Sequence, residues 1–118
     1  MKFVAEHLSF EQIDDVWTFA LGDRHPQQPD VWVILTFGDE QVQDVAQGMT
    51  GLYIETSTGG SGYGYVECLQ FEETTLLIQL CDDYETICVF VPARHAAIAQ
   101  NAVEACNAAN ATRSVRPS

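Results

Sequence analysis

A chain of 118 residues with 47% apolar side chains can bury a core without a metal or disulfide to hold it, and its length suits one domain spanning 1–118. Acidic residues outnumber basic ones 17 to 5, and the net charge of −12 argues against nucleic acid or an anionic membrane as ligand, because both demand the opposite sign. The same charge can steer the chain towards a basic partner and repel acidic ones, or do no more than keep it soluble.

Taken in order, the chain reads mostly as strands. Phe3 to Phe10 reads as a first strand anchored by Phe3, Val4, Leu8 and Phe10, and polar Glu11 to Asp15 as a turn. Val16 to Leu21 is a second strand, ended by Gly22. Pro26 and Pro29 make Gly22 to Asp30 a loop. Val31 to Phe37 is the strongest strand signal; it is apolar at nearly every position, so both faces are expected to be covered. Asp39 to Gly48 carries Val42, Val45, Ala46 and Met49 at helical spacing, with Asp39 placed as an N-cap and Gly48 as a C′ residue; a short helix or a Gln-rich loop would both fit.

Gly51 to Phe71 reads as a β-hairpin with a long mobile tip. Leu52-Tyr53-Ile54 forms one arm, Thr56 to Gly62 the tip and Tyr63 to Phe71 the other arm. Five of the chain's 8 glycines lie in this stretch. Thr75 to Cys81 and Thr86 to Val91 are further strands, joined by the acidic connection Asp82 to Glu85 and closed by Pro92. Arg94 to Asn110 is an alanine-rich helix with Ile98, Ala102, Ala105 or Cys106, and Ala109 on its apolar stripe; a frayed tail begins at about residue 112. The expected class is α+β: an antiparallel β-sheet of about six or seven strands with a C-terminal α-helix packed on one face.

No assembled catalytic motif emerges. The glycine run Gly59 to Gly64 lacks a Gly-Lys-Ser/Thr ending and leads into a strand, so no helix N-terminus is aimed at a phosphate. Ser61 falls short of a nucleophile elbow because Tyr63 stands where the second glycine belongs. His7, His25 and His95 are widely separated, and Cys68, Cys81, Cys88 and Cys106 contain no C-x-x-C pair; the cysteines read as reduced, buried small hydrophobes. No metal, cofactor or catalytic residue is expected. The doublets Glu72-Glu73 and Asp82-Asp83 read as solvated strand ends rather than as an acid–base pair. Tyr53, Tyr63 and Tyr65 beside the loop, and Tyr84 in the acidic turn, suit either an interface or cross-strand packing.

Glu6, His7 and Glu11 interrupt the N-terminus where a signal peptide would be unbroken and apolar. No stretch approaches the roughly 20 apolar residues of a membrane helix, so a cytoplasmic protein is expected.

One stretch resembles a known family. Asp44-Val45-Ala46-Gln47-Gly48-Met49, then a strand, a loop and Tyr63-Gly64-Tyr65-Val66-Glu67, resembles the immunity protein 10 family of bacterial polymorphic toxin systems. That family carries Asp-x-Ala-x-Gly-Met, a strand beginning with Tyr, and a Tyr-Gly-Gly-aliphatic turn. Here Leu52 stands at the first tyrosine, with Tyr53 one residue later, and Tyr65 stands at the second glycine of the turn. The resemblance runs from about Val31 to Val91 and does not take in the alanine-rich helix. It implies a protein that binds and neutralises a cognate toxin, without cofactor or catalysis. The charge makes that toxin basic, and the expected contact residues are Tyr53, Tyr63, Tyr65, Glu72, Glu73, Asp82, Asp83 and Tyr84. A structural module forming homodimers through a strand edge, or a small enzyme with a site assembled only in three dimensions, are the other readings.

Overall fold

The computed structural model describes residues 1–24, 29–38, 52–63, 65–81 and 86–114. It is α+β, as the composition of its segments implied, but the strands number nine among the described residues and divide between two sheets. The strands are β1 (Lys2–Val4), β2 (His7–Ile13), β3 (Val16–Gly22), β4 (Trp32–Gly38), β5 (Tyr53–Thr56), β6 (Ser61–Tyr63), β7 (Val66–Glu72), β8 (Thr75–Leu80) and β9 (Ile87–Phe90). A 3₁₀ turn, Ala93–His95, leads into the helix α1 (Ala96–Ser114). The four-stranded sheet has the order β1-β9-β8-β7 and the five-stranded sheet β2-β3-β4-β5-β6. Only β1 with β9 pairs in parallel.

Side-chain parity explains why the expected first strand is two. Phe3 and Ala5 are buried, then Leu8. Two odd positions followed by an even one cannot share one face of a single strand. The chain therefore turns over at Ala5–Glu6 and changes sheet: the Ala5 amide donates to the Phe90 carbonyl (2.9 Å) and the Glu6 amide to the Val4 carbonyl (3.0 Å). The same logic divides the second arm of the expected hairpin. Val66 and Leu69 are both buried, and a bulge between Val66 and Cys68 absorbs the slip in parity. Thus β6 stays in the five-stranded sheet while β7 begins the other.

Two corrections concern turns. Glu11 to Ile13 is strand, not turn: Ile13 pairs directly with Val16, leaving only Asp14-Asp15 as the loop. Both aspartates hold positive φ, 51° and 66°, the backbone that a type I′ hairpin demands and that aspartate tolerates. Polar side chains on an exposed strand and in a turn look alike in sequence. The tip of the β5–β6 hairpin is likewise short and closed. The Thr56 amide donates to the Gly60 carbonyl (2.9 Å), the Gly59 amide to the Thr56 carbonyl (3.0 Å), and Thr56 and Thr58 share a hydroxyl hydrogen bond of 2.9 Å. Hydrogen bonds run both ways between Ser57 and β4: the Ser57 amide donates to the Trp32 carbonyl (3.0 Å), and the Trp32 amide donates to the Ser57 hydroxyl, Oγ (3.1 Å).

The core is one cluster fed by both sheets and the helix. Phe19, Leu21, Val33, Leu35 and Ile54 enter from the five-stranded sheet, and Phe3, Leu69, Leu76, Ile78, Ile87 and Val89 from the four-stranded one. Phe10, Trp17 and Phe37 continue it at the half-buried end, with Phe10 and Trp17 stacked at 4.9 Å between centroids. β4 is the middle strand of its sheet, but only Val33 and Leu35 are buried; Trp32, Ile34 and Thr36 on its other face are half-buried. The double coverage expected of that strand is therefore one-sided among the described residues.

The helix continues to Ser114, through residues read as tail, and packs along β7 while reaching β2 and β4. Its buried stripe is Ala99, Ala102, Val103 and Cys106, and Ile98 is 42% exposed, contrary to expectation. Hydrogen bonding to β7 sets this rotation. Asn107 Oδ1 accepts the Leu69 amide (2.9 Å) while its Nδ2 donates to the Leu69 carbonyl (2.8 Å). Asn110 Nδ2 donates to the carbonyls of Val66 and Glu67, both at 3.0 Å. The free edge of β7 is thus capped by side-chain amides acting in place of a tenth strand. The segment Asp39 to Gly48, read as helix or loop, lies outside the described residues.

Candidate partner-binding surface

Chemistry is the first thing to test. Among the described residues no group of three His, Cys, Asp or Glu could hold a metal ion. All four cysteines are free thiols. Cys68, Cys81 and Cys88 are half-buried, so the expectation of burial holds fully for Cys106 alone. Burial pushes the Cys106 thiol from 9.0 up to about 12, which denies it the thiolate a nucleophile needs.

The folded state keeps a proton that the unfolded chain releases above 9.0, so the stability from Cys106 is complete below pH 9 and is lost as pH rises towards about 12. Replacing Cys106 with alanine is expected to flatten that alkaline slope in urea unfolding. A disulfide-exchange reagent at pH 8 is expected to leave Cys106 unlabelled until the chain unfolds.

The expected contact residues do not form one cluster. Tyr53 on β5 pairs in register with Tyr63 on β6. Tyr53 is half-buried on the sheet face opposite Ile54, and therefore turned away from the core. Tyr65 belongs elsewhere. Its ring lies against the Cα of Gly62, where any Cβ would overlap it, and Gly62 holds φ +143°. Because Gly62 pairs with buried Ile54, the Tyr65 ring fills a gap on the inner side of the sheet. It borders a cavity of about 280 Å³ floored by Ile54 and Leu80. For Tyr65 the packing role is therefore visible, though 39% of the residue stays exposed.

Glu72 and Glu73 sit at the opposite end of β7, exposed in its turn into β8, with Glu73 at φ +57°. Six strand residues, roughly 20 Å, separate them from Tyr65. Asp82, Asp83 and Tyr84 lie outside the described residues. They follow Cys81, whose amide donates to the Tyr65 carbonyl at 2.7 Å.

Electrostatics sharpen the picture. Arg24 pairs with Asp30 at 2.7 Å and Arg94 with Glu6 at 2.8 Å, while Lys2 Nζ lies 5.9 Å from the Phe90 ring centroid. Each of these three cations has a partner within the chain. The ion pairs are exposed and add little stability. Their consequence is that little positive charge is left to offset the acidic surface.

The five-stranded sheet also presents an outer face that the reading of the sequence did not single out. Register places Trp32, Ile34 and Thr36 of β4 on it, with Thr18 and Ala20 of β3, Glu11 of β2, and Tyr53 and Glu55 of β5. Tyrosine, tryptophan, threonine and glutamate on a flat sheet are a composition suited to recognition. A signal existed: in Trp32-Val33-Ile34-Leu35-Thr36 the alternation puts Trp32, Ile34 and Thr36 on one face, and that set includes the polar Thr36.

No curated protein matches the chain. The family model of Immunity protein 10 matches residues 4–88, beginning well before Val31 and ending short of α1. It takes in seven strands whole, β2 to β8, with the last residue of β1 and the first two of β9. By that match, which covers most of the sequence, the chain belongs to the Immunity protein 10 family.

Proposed function

We propose that this protein is an immunity protein that binds a cognate toxin domain and neutralises it in the cell that makes both. Membership of the family over residues 4–88 carries this reading. The charge supports a basic toxin: at −12, with the described arginines already paired to carboxylates, the surface attracts cations and repels a copy of itself. A homodimer would bring like charges together, so the charge counts against the oligomerisation module. Contact would run through the outer-face tyrosine Tyr53 with its register partner Tyr63 and through acidic groups among Glu72, Glu73, Asp82 and Asp83; Tyr65, whose ring packs on the inner side of the sheet, would contribute through its exposed part, and Tyr84 completes the proposed set. Inhibition by occlusion needs no cofactor and no catalytic residue.

The test is co-expression with the candidate toxin domain. Growth is expected to be arrested by the toxin alone and restored by this chain. The purified pair should associate with a rate constant that falls about tenfold or more between low and high salt. Failure to restore growth against the encoded partner, or a salt-independent rate, would count against the reading.

A further inference from the structure

The outer face of the five-stranded sheet is not flat throughout. β3, which lies between β2 and β4, carries Ala20 and Gly22 there, the two smallest residues available. In register, Gly22 lies between His7 on β2 and Trp32 on β4, and Ala20 between Ser9 on β2 and Ile34 on β4. The small residues Ser9, Ala20 and Gly22, bounded by His7 on one side and by Trp32 and Ile34 on the other, leave a trough. Pro29 closes one end: a Cβ on Gly22 would come within 3.3 Å of it. The resulting groove has a volume of about 350 Å³ and is lined by His7, Ala20, Gly22, Pro29, Trp32 and Ile34. That is the low end of the roughly 300–1,000 Å³ typical of ligand pockets, and it suits a bulky apolar side chain.

Its surroundings select the neighbour of that side chain. Glu55 pairs directly with Ile34, so it stands on the same face beside the groove, with its Cβ roughly 5 Å from that of Ile34. Glu11 lies farther along the same face on β2. Among the described residues that face carries no lysine or arginine. Arg24, near the Pro29 end, is held by Asp30 at 2.7 Å. The groove is also joined to the hairpin, since the backbone of Trp32 is bonded in both directions to Ser57.

We propose that this groove is the docking point for the partner protein, receiving an apolar side chain whose sequence neighbour is lysine or arginine, with the cation meeting Glu55. The inference rests on the immunity reading and adds where contact is made and by what chemistry. A second copy of this chain is the poorer occupant, because it would set Glu11 and Glu55 against their own like.

Two measurements keep the groove and the function separable. The first uses the toxin domain whose killing the chain suppresses. Ala20→Trp, which fills the trough from its solvent side, is expected to weaken the complex roughly 30-fold or more. Glu55→Lys is expected to weaken it roughly tenfold, mainly through slower association. Glu104→Lys makes the same charge change on the exposed side of the helix and should cost less than about threefold. Near-UV circular dichroism checks that each variant is folded. Suppression that persists with unchanged affinity in Ala20→Trp and Glu55→Lys would overturn the groove and leave the function standing.

The second measurement needs no toxin. Amide shifts are followed while the peptide acetyl-Lys-Phe-Lys-amide is added, and again with acetyl-Glu-Phe-Glu-amide. Saturable shifts at Ala20, Trp32, Ile34 and Glu55 with the basic peptide alone support the groove even if no toxin is suppressed. Equal response to both peptides, no response, or shifts confined to other residues would overturn it. So would concentration-dependent dimerisation abolished by Ala20→Trp, which would assign the groove to a second copy.

Discussion

Phe19→Ala is expected to cost about 3–5 kcal/mol, a large share of the roughly 5–15 kcal/mol that holds a domain of this size together. Phe19 is fully buried in the middle of β3, between Phe10 on β2 and Leu35 on β4 in register. Its ring meets that of Phe10 edge-on at 6.1 Å between centroids. Truncation removes the largest fully buried side chain among the described residues and leaves a void that the flanking strands, locked by their hydrogen bonds, close only in part. The midpoint of thermal unfolding should fall by roughly 15 °C or more, on the usual scaling for small domains. Phe19→Leu, which keeps most of the volume, should lose well under half as much. Equal losses for the two variants, or a drop in Ala of only a few degrees, would mean that Phe19 is not central to the core. Toxin binding at temperatures where Phe19→Ala stays folded is expected to be unchanged, since Phe19 faces inward and the proposed groove lies on the opposite face.

The second large effect concerns the edge of β7. Asn107 serves the Leu69 amide and carbonyl with one side chain, at 2.9 and 2.8 Å. Asn107→Ala orphans both groups beneath the helix, at about 1–3 kcal/mol for each that water cannot reach. A total near 3 kcal/mol and a fall in midpoint of roughly 10 °C are expected. Asn107→Asp is the sharper variant. It keeps the acceptor for the Leu69 amide but sets a carboxylate against the Leu69 carbonyl, so it should fare no better than alanine at neutral pH and should recover on acidification. Hydrogen exchange reads the local effect directly: the Leu69 amide, protected in the parent chain, should exchange far faster in the alanine variant. An unprotected Leu69 amide in the parent would refute the capping role. Asn110 works on the same edge, and its Oδ1 is buried without a hydrogen-bond partner. A substitution there would therefore release one unsatisfied group while creating others, and a smaller net loss is expected than at Asn107.

Capping also bears on solubility. An uncovered β7 would offer a pairing edge to any extended chain. The five-stranded sheet handles its edges differently: β6 is only three residues long, and the exposed end of β2 carries Glu11 and Gln12 before Ile13. Both devices, with the net charge of −12, favour a chain that meets a partner through a sheet face rather than through a strand edge.

Much of this protein was readable one segment at a time. Apolar runs and turn residues located β3, β4, β8 and β9 to within a residue or so, because strand-forming character is local. Alanine content located α1, since helix propensity is a property of single residues. The acidic surface and the motif around Asp44 to Glu67 pointed to the family without any fold. Tertiary structure decided what depends on partners distant in sequence. Phe3 to Phe10 is two strands because Phe3 pairs with Val89 in one sheet and Leu8 with Leu21 in the other, partners that no local window contains. The rotation of α1 came from Asn107 reaching a strand 38 residues away. The groove exists only because register sets Ala20 and Gly22 between side chains of β2 and β4. Alternation tells which residues of a strand share a face; hydrogen-bonded pairing across the sheet alone decides which faces meet, what they bury and where they leave a hollow.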